Sequence, residues 1–166
     1  MSRARAPTTR LAAAAAIALG LGLGLGGCQV GPRPVKDGWA LPKGDWQVVA
    51  HAAPGIAAMS PVVAQQYVGR SVSFGPHGVT SGAEGCAKPT YVVNLVYADR
   101  YLQRQYGVRP ASLGLYPHQD VRVTEVFCEG RKWGGLGGHV VWADDERGWA
   151  IRDGIWFELR RAAPQG

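Results

Sequence analysis

Chemically reactive side chains lie close together at two places in the sequence. His118 and Asp120 are two residues apart, so on a strand they would share a face and could hold a metal ion or a proton. His77 precedes Cys86 in a glycine-rich segment, and a thiol activated by a base is a nucleophile. However, Glu84 also lies near this cysteine, and a carboxylate raises the pKa of a thiol, which opposes such chemistry. No Gly-x-Ser-x-Gly sequence marks a serine nucleophile.

The remaining features of these segments also argue against catalysis and metal binding. The sequence around Cys86 resembles the His-Gly-Cys nucleophile loop of the periplasmic transpeptidases that remodel the cell wall. In this chain Glu84 and Gly85 occupy the positions before the cysteine, where that family has its histidine. The four histidines do not fall at spacings typical of metal ligands. We therefore predict no metal site, no cofactor and no catalytic residue.

Trp133 has the most unusual setting of the six tryptophans, because it lies in the glycine-rich run Lys132–Gly138. Core packing in a small β domain accounts for most large aromatic residues. A large ring among glycines is also a suitable contact for a protein partner, a glycan or a lipid head group. The alternative is a ring that folds back on the core. Trp133, His118 and Asp120 are the candidate binding residues.

The elements that must position these residues follow an N-terminal leader. The first ten residues are basic and contain no acid, and Leu11 to Leu25 is apolar. This layout is typical of a secretory signal peptide, and its apolar part is shorter than the roughly 20 residues that a membrane-spanning helix needs. Leu25-Gly26-Gly27-Cys28 resembles the lipobox of bacterial lipoproteins. That resemblance implies cleavage before Cys28 and acylation of this cysteine, which anchors the protein to a membrane.

The lipobox resemblance has consequences for location and for the other thiols. In lipoproteins an aspartate after the acylated cysteine favours the inner membrane, whereas this chain has Gln29. The resemblance therefore implies the periplasmic face of the outer membrane. Three cysteines are an odd number for an exported protein. With lipid on Cys28, Cys86 and Cys128 remain as a pair, for which a disulfide is expected in an oxidising compartment.

The chain has room for one folded domain after the leader. We predict a signal peptide over residues 1–27, a lipidated tether rich in proline and glycine over 28–43, and a single globular domain over 44–166. The formal net charge of +6 overstates the basicity of the mature chain, because several arginines lie in the leader. The other charges are interspersed, so we do not expect nucleic-acid binding.

Short strands interrupted by two helices are predicted for the domain. The strands are predicted over residues 45–50, 71–74, 91–96, 121–128, 139–142, 149–152 and 155–160. Ser60-Pro61 predicts the start of the first helix and Gly69 its end. Gly107 predicts the end of a second helix over 97–106. The glycine-rich segment 75–89 is predicted to be a loop. This pattern predicts an α+β, mainly antiparallel domain of six or seven short strands, or a closed barrel.

Asp153-Gly154 predicts the register of the last hairpin. This pair is favoured in two-residue hairpin turns, in which both central residues need positive φ. The turn would place Ile151 opposite Trp156 on one face of the sheet and Ala150 opposite Phe157 on the other.

The start of the first long strand gives a second indication of a barrel. Gly44-Asp45-Trp46 resembles the Gly-x-Trp signature of lipocalin-like barrels. That resemblance implies that a basic residue of the last strand, Arg160 or Arg161, packs over Trp46. The two predicted helices within the run of strands depart from the lipocalin pattern.

Taken together, these features favour an exported, membrane-anchored lipoprotein with a non-enzymatic binding or interaction domain. Its expected partners are the membrane, through the lipid, and an envelope protein or a small apolar ligand. Two alternatives stay open. One is a hydrolase that acts on cell wall or lipid through His118 and Asp120, and the other is a structural accessory subunit of an envelope complex.

Overall fold

The computed structural model describes residues 33–34 and 43–163. It confirms the predicted α+β class, since the described chain is mainly antiparallel β-sheet with two short α-helices. The strands are β1 Arg33–Pro34, β2 Gly44–Ala52, β3 Ser71–Phe74, β4 Gly78–Ser81, β5 Glu84–Ala87, β6 Thr90–Tyr97, β7 Asp120–Cys128, β8 Arg131–Lys132, β9 His139–Trp142, β10 Arg147–Arg152 and β11 Ile155–Arg161. The helices are α1 Pro61–Gln65 and α2 Ala98–Tyr106, and a 3₁₀ turn covers Pro110–Leu113.

All described strands belong to one sheet that curls like a barrel. The strand order is β1-β6-β7-β9-β10-β11-β2-β3-β4-β5, and β8 pairs with the end of β7. β5 and β6 stand near opposite ends of this order, yet only Lys88 and Pro89 separate them in the chain. Cys86 of β5 is also disulfide-bonded to Cys128 of β7, with a Cα–Cα distance of 5.8 Å. The sheet is therefore curled so that β5, at one end, lies close to β6 and β7 near the other end.

The sheet has more strands than the six or seven that the sequence predicts. It has eleven in the described residues, and β1 and β8 are only two residues long. Segment 75–89, predicted to be a loop, instead contains the hairpin β4–β5, in which Val79 pairs with Cys86. Gly78 of β4 and Gly85 of β5 carry no side chain, so the alternation of apolar and polar residues that identifies a strand is weak here.

α1 begins and α2 ends where the sequence predicts, but α1 ends at Gln65 and not at Gly69, since residues 66–69 form a turn. The Ser60 hydroxyl caps α1 by accepting a hydrogen bond from the Val63 amide at 3.3 Å. α2 ends at Gly107, whose φ of 65° is the left-handed conformation that favours glycine. Ala98 and Leu102 are buried, and they fix α2 against the sheet.

The sheet has a hydrophobic core on each face. Inside the curl, the Trp46 ring lies 4.6 Å from the Trp142 ring, and Phe74 meets Trp142 edge-on at 5.5 Å. The outer core lies between the sheet, α2 and the 3₁₀ turn. Its members are Ala98, Leu102, Val108, Leu113, Leu115, Val121, Val123, Val141, Trp149 and Trp156. α2 is therefore held on the outside of the curl.

Hairpin β10–β11 has the register that its turn predicts. The turn Asp153-Gly154 has φ values of 51° and 80°. Ile151 pairs with Trp156, and Ala150 pairs with Phe157. The second pair belongs to the inner core, whereas Ile151 and Trp156 face the outer core.

Arg161 takes the position over Trp46 that the Gly-x-Trp resemblance implies. Its guanidinium carbon lies 4.7 Å from the centroid of the Trp46 ring. Arg161 also donates a hydrogen bond to the Lys43 carbonyl at 3.0 Å, which ties the last strand to the start of β2. Arg160 instead pairs with Glu158 at 2.7 Å.

Candidate functional site

The structure does not bring the residues singled out from the sequence together. His118 is exposed in a turn before β7 begins. The prediction that it shares a strand face with Asp120 is therefore wrong. Asp120 is the exposed first residue of β7. Trp133 is half-buried against the inner core, so its ring folds back on the domain. Cys28 and the rest of the lipobox lie outside the described residues.

The structure also bears on three other features: a reactive thiol, a metal site and a membrane-spanning helix. Cys86 and Cys128 are joined in a disulfide, so neither sulfur is a free thiol. Within residues 33–34 and 43–163, no group of three or more His, Cys, Asp and Glu side chains could hold a metal ion. In the same residues, no helix is long and apolar enough to cross a membrane.

The glycine-rich run around Trp133 is an insertion within a hairpin. β8 pairs with one end of β7 and β9 with its middle, and both the Trp133 amide and the Gly138 carbonyl bond to Val126. Leu136, at the centre of the insertion, is fully buried in the inner core. A Cβ on Gly138 would lie 2.0 Å from the Trp133 carbonyl oxygen. Close packing therefore requires a glycine at position 138. His139 follows it directly as the first residue of β9.

A cleft of about 470 Å³ lies between α2 and the outer face of β6, β7 and β9. This volume is within the range of roughly 300–1,000 Å³ that is typical of small-molecule sites. Val96 and Val123 contribute apolar surface. The polar and aromatic lining residues are Asn94, Tyr97, Arg100, Tyr101, Arg104, Gln105, Tyr106, Asp120, Glu125, Lys132 and His139.

One connected network, here called the His139 cluster, comprises His139, Tyr101, Tyr106, Glu125 and Lys132. The tyrosine hydroxyls lie 2.9 Å (Tyr101) and 3.0 Å (Tyr106) from the His139 Nε2. On the other side of the imidazole, Nδ1 lies 3.5 Å from Glu125 Oε1. The same carboxylate oxygen lies 2.5 Å from Lys132 Nζ. The cluster thus connects the two phenols to an ion pair through one histidine.

Burial determines the protonation states within the His139 cluster. It lowers the pKa of His139, and the nearby Lys132 charge lowers it further against the opposing effect of Glu125. Burial also raises the pKa of Tyr101 and of Tyr106. The hydrogen bond from Lys132 holds the pKa of Glu125 below its ordinary value. At neutral pH the histidine is therefore neutral, both phenols keep their protons and the carboxylate is ionised.

α2 presents aromatic and cationic groups to the cleft. Tyr101 and Tyr106 meet edge-on with centroids 5.9 Å apart, and Tyr106 also packs on Trp156 at 5.1 Å. Arg100 and Arg104 are one helical turn apart, so they lie on the same side of α2. Both are exposed, and neither forms an ion pair with any described residue.

The His139 cluster is not among the sites predicted from the sequence, although the sequence contains one signal for it. Val121 and Val123 share the face of β7 that packs against α2, and Glu125 is next on that face. A charged side chain on the same strand face as buried residues indicates that another polar side chain pairs with it. That partner, His139, is the first residue of the predicted strand 139–142. The Glu125–His139 pairing depends on the β7–β9 register, which no local pattern predicts.

Comparison with known proteins identifies no relative. No protein-family model matches the chain, no curated protein is significantly similar to it, and no solved structure matches it significantly. The function therefore has to be inferred from the geometry and charge of the cleft.

Proposed function

We propose that the chain is an exported lipoprotein, anchored through Cys28 at the periplasmic face of the outer membrane, whose domain binds a small molecule without transforming it. The anchorage rests on the lipobox resemblance. The binding role rests on one observation, the convergence of phenol, imidazole and guanidinium groups on the open cleft between α2 and the sheet. A concave site with apolar lining and a few convergent polar groups is typical of ligand sites.

The His139 cluster supports binding rather than catalysis. A general base needs a nitrogen within reach of the substrate proton, whereas Nε2 already lies within 3.0 Å of both tyrosine hydroxyls. Neither phenol supplies a phenolate at neutral pH, because burial raises the pKa of both. The cluster instead holds a tyrosine hydroxyl in a fixed position, where it can donate a hydrogen bond to a ligand.

The lining favours an occupant with both apolar and polar parts. Val96 and Val123 supply apolar contacts, while the side chains of α2 supply charge and hydrogen-bond donors. This refines the partner expected from the sequence, a small apolar ligand or an envelope protein. A binding surface formed by Trp133 is less favoured, because that ring packs against the inner core.

Native mass spectrometry of the lipidated protein, isolated from its own membranes, tests the proposal. Asn94 lies on the β6 floor of the cleft, and Thr90 lies on the same face of this strand, outside the cleft lining. We expect wild type and Thr90→Trp to retain a bound small molecule, and Asn94→Trp to lose it, because the indole fills the cleft. A ligand retained equally by all three proteins would exclude the cleft as the site.

A further inference from the structure

We infer that the cleft holds its ligand by an anionic group, a phosphate or a carboxylate, which Arg100 and Arg104 bind together with one tyrosine hydroxyl of the His139 cluster. This inference rests on the proposed function, since it requires the cleft to be a ligand site. It adds the chemical class of the ligand and the residues that select it.

The charges of the cleft favour an anion. Lys132 and Glu125 form an ion pair at 2.5 Å and largely neutralise each other. Among the other described lining residues, Arg100 and Arg104 carry two positive charges, and Asp120 carries one negative charge. Guanidinium groups bind carboxylates and phosphates through paired, charge-assisted hydrogen bonds. Two such groups on successive turns of α2, without ion-pair partners among the described residues, are suited to this role.

The His139 cluster adds a neutral donor to these cations. Nδ1 faces Glu125, so it carries the imidazole proton and leaves one lone pair on Nε2. Tyr101 and Tyr106 both lie within hydrogen-bond distance of Nε2, but only one of them can donate to that lone pair. The other hydroxyl proton is left for the neighbouring phenol oxygen or for an occupant. An anionic oxygen is the stronger acceptor of the two, because hydrogen bonds to charged groups are stronger than neutral ones.

The path of the tether places this site near the proposed anchor. β1 pairs with β6 at Asn94 and Leu95, and both of these residues line the cleft. The chain from Cys28 to Arg33 spans at most about 18 Å when fully extended. With lipid on Cys28, the cleft would lie close to the membrane surface. Its anionic group then has two possible sources, a lipid head group or a soluble molecule.

Isothermal titration calorimetry of the full lipidated protein in non-ionic detergent tests the inference. The probes are benzoate and phenyl phosphate, with benzamide as the uncharged analogue of benzoate. We expect the anions to bind the wild type at least about tenfold more tightly than benzamide does. The double variant Arg100→Gln/Arg104→Gln should lose this preference. Arg109→Gln, an exposed arginine outside the cleft, should keep it.

The outcomes separate this inference from the proposed function. Equal binding of benzoate and benzamide, both abolished by Asn94→Trp, would overturn the anionic class and leave the cleft as a ligand site. Failure of every probe to bind, together with a native ligand that Asn94→Trp retains, would overturn both. Anion binding that Arg100→Gln/Arg104→Gln leaves unchanged would also overturn the inference.

A competition arm identifies the source of the anion. Phosphatidylglycerol or phosphatidylcholine is added to the micelles before titration with phenyl phosphate. Displacement by phosphatidylglycerol alone supports the anionic class and assigns it to a lipid head group. Tight binding of phenyl phosphate in the presence of either lipid supports the same class with a soluble source. Displacement by both lipids equally would contradict selection by negative charge.

Discussion

At the scale of single residues, the inner core contains one buried polar contact on which its packing depends. Trp142 Nε1 donates a hydrogen bond of 3.0 Å to the Thr124 hydroxyl, and both residues are fully buried. Thr124→Val keeps the shape of the side chain but leaves the indole N–H without an acceptor. We expect a loss of about 1–3 kcal/mol in the free energy of unfolding, measured by urea titration. Thr124→Ser keeps the hydroxyl and should retain the polar part of this stability. Equal stability of Thr124→Val and wild type would contradict the assignment.

The pKa of His139 predicts how stability changes with acidification. Its ordinary value is 6.5, and the folded protein lowers it. Below about pH 6.5 the unfolded chain takes up a proton that the folded chain resists, so the free energy of unfolding should fall until the pH passes the folded pKa. Glu125 acts in a separate window, because its pKa is lowered from 4.5.

Urea unfolding between pH 7.5 and pH 5 tests this dependence. We expect wild type to lose more stability over this range than His139→Gln, which has no titrating ring at this position. Parallel pH profiles for the two proteins would show that the cluster does not disfavour the charged imidazole.

Single residues also show where sequence reasoning stops. The Ser60 cap and the Gly107 helix end depend on local backbone chemistry, and both were predicted. The contacts of His139 with Tyr101 and Tyr106 join residues more than thirty positions apart. No local pattern encodes such contacts, so the cleft required the folded chain.

At the scale of elements, the insertion between β8 and β9 should tolerate substitution at one glycine and not at another. A Cβ on Gly138 would collide with the Trp133 carbonyl, whereas a Cβ on Gly134 meets nothing within 4 Å. We expect Gly138→Ala to lower the free energy of unfolding by more than about 1 kcal/mol, because backbone must move. Gly134→Ala, in the same loop, should stay within about 0.5 kcal/mol of wild type. Thermal unfolding compares the two variants directly, and equal melting temperatures would contradict the close packing.

The disulfide between β5 and β7 should contribute substantially to stability, because it joins distant strands of the curled sheet. Cys86 and Cys128 are 42 residues apart in the chain. A loop of this length corresponds to about 4 kcal/mol in the chain-entropy model, before any strain in the folded state. We expect Cys86→Ala/Cys128→Ala to show a clearly lower urea midpoint.

Reduction of the wild type supplies a matched control for that variant. Dithiothreitol should lower the urea midpoint of the wild type toward that of the double variant, and should not affect the double variant itself. An unchanged midpoint in both would mean that the disulfide does not stabilise the curled sheet.

Elements differ in how far their sequence determines them. The β10–β11 register was predicted because Asp153-Gly154 fixes it within the turn itself. The hairpin β4–β5 was predicted as a loop, because its four-residue strands contain glycines and its stability comes from pairing with β3 and from the disulfide. Local turn chemistry can be predicted from a sequence, whereas stabilisation by neighbouring strands cannot.

At the scale of the whole molecule, the curled sheet places the proposed site outside the curl. Lipocalin-like barrels hold a ligand in their interior. Here Trp46, Phe74, Trp142 and Phe157 fill the inside of the curl, and each is at most 1% exposed. The cleft is formed instead where α2 lies across the outer face of β6, β7 and β9. The Gly-x-Trp geometry is therefore compatible with a different location for the ligand.

The proposed membrane attachment concerns the chain as a whole and has its own test. Cys28→Ala removes the sulfur that the lipobox resemblance assigns to lipid. We expect wild type to fractionate with membranes and its N-terminal peptide to carry acyl chains on Cys28, as measured by mass spectrometry. The variant should lack this modification and its cleavage. Detection of an intact Met1 or an unmodified Cys28 in the wild type would contradict the proposed anchorage.

The central claim, that the cleft between α2 and the sheet is a ligand site, is tested most directly by a crystal structure of the protein isolated from its own membranes. The account predicts electron density for a small molecule in contact with Tyr101, Tyr106 and His139, with an anionic group toward Arg100 and Arg104. Ligand density elsewhere on the domain, with solvent alone in the cleft, would contradict it.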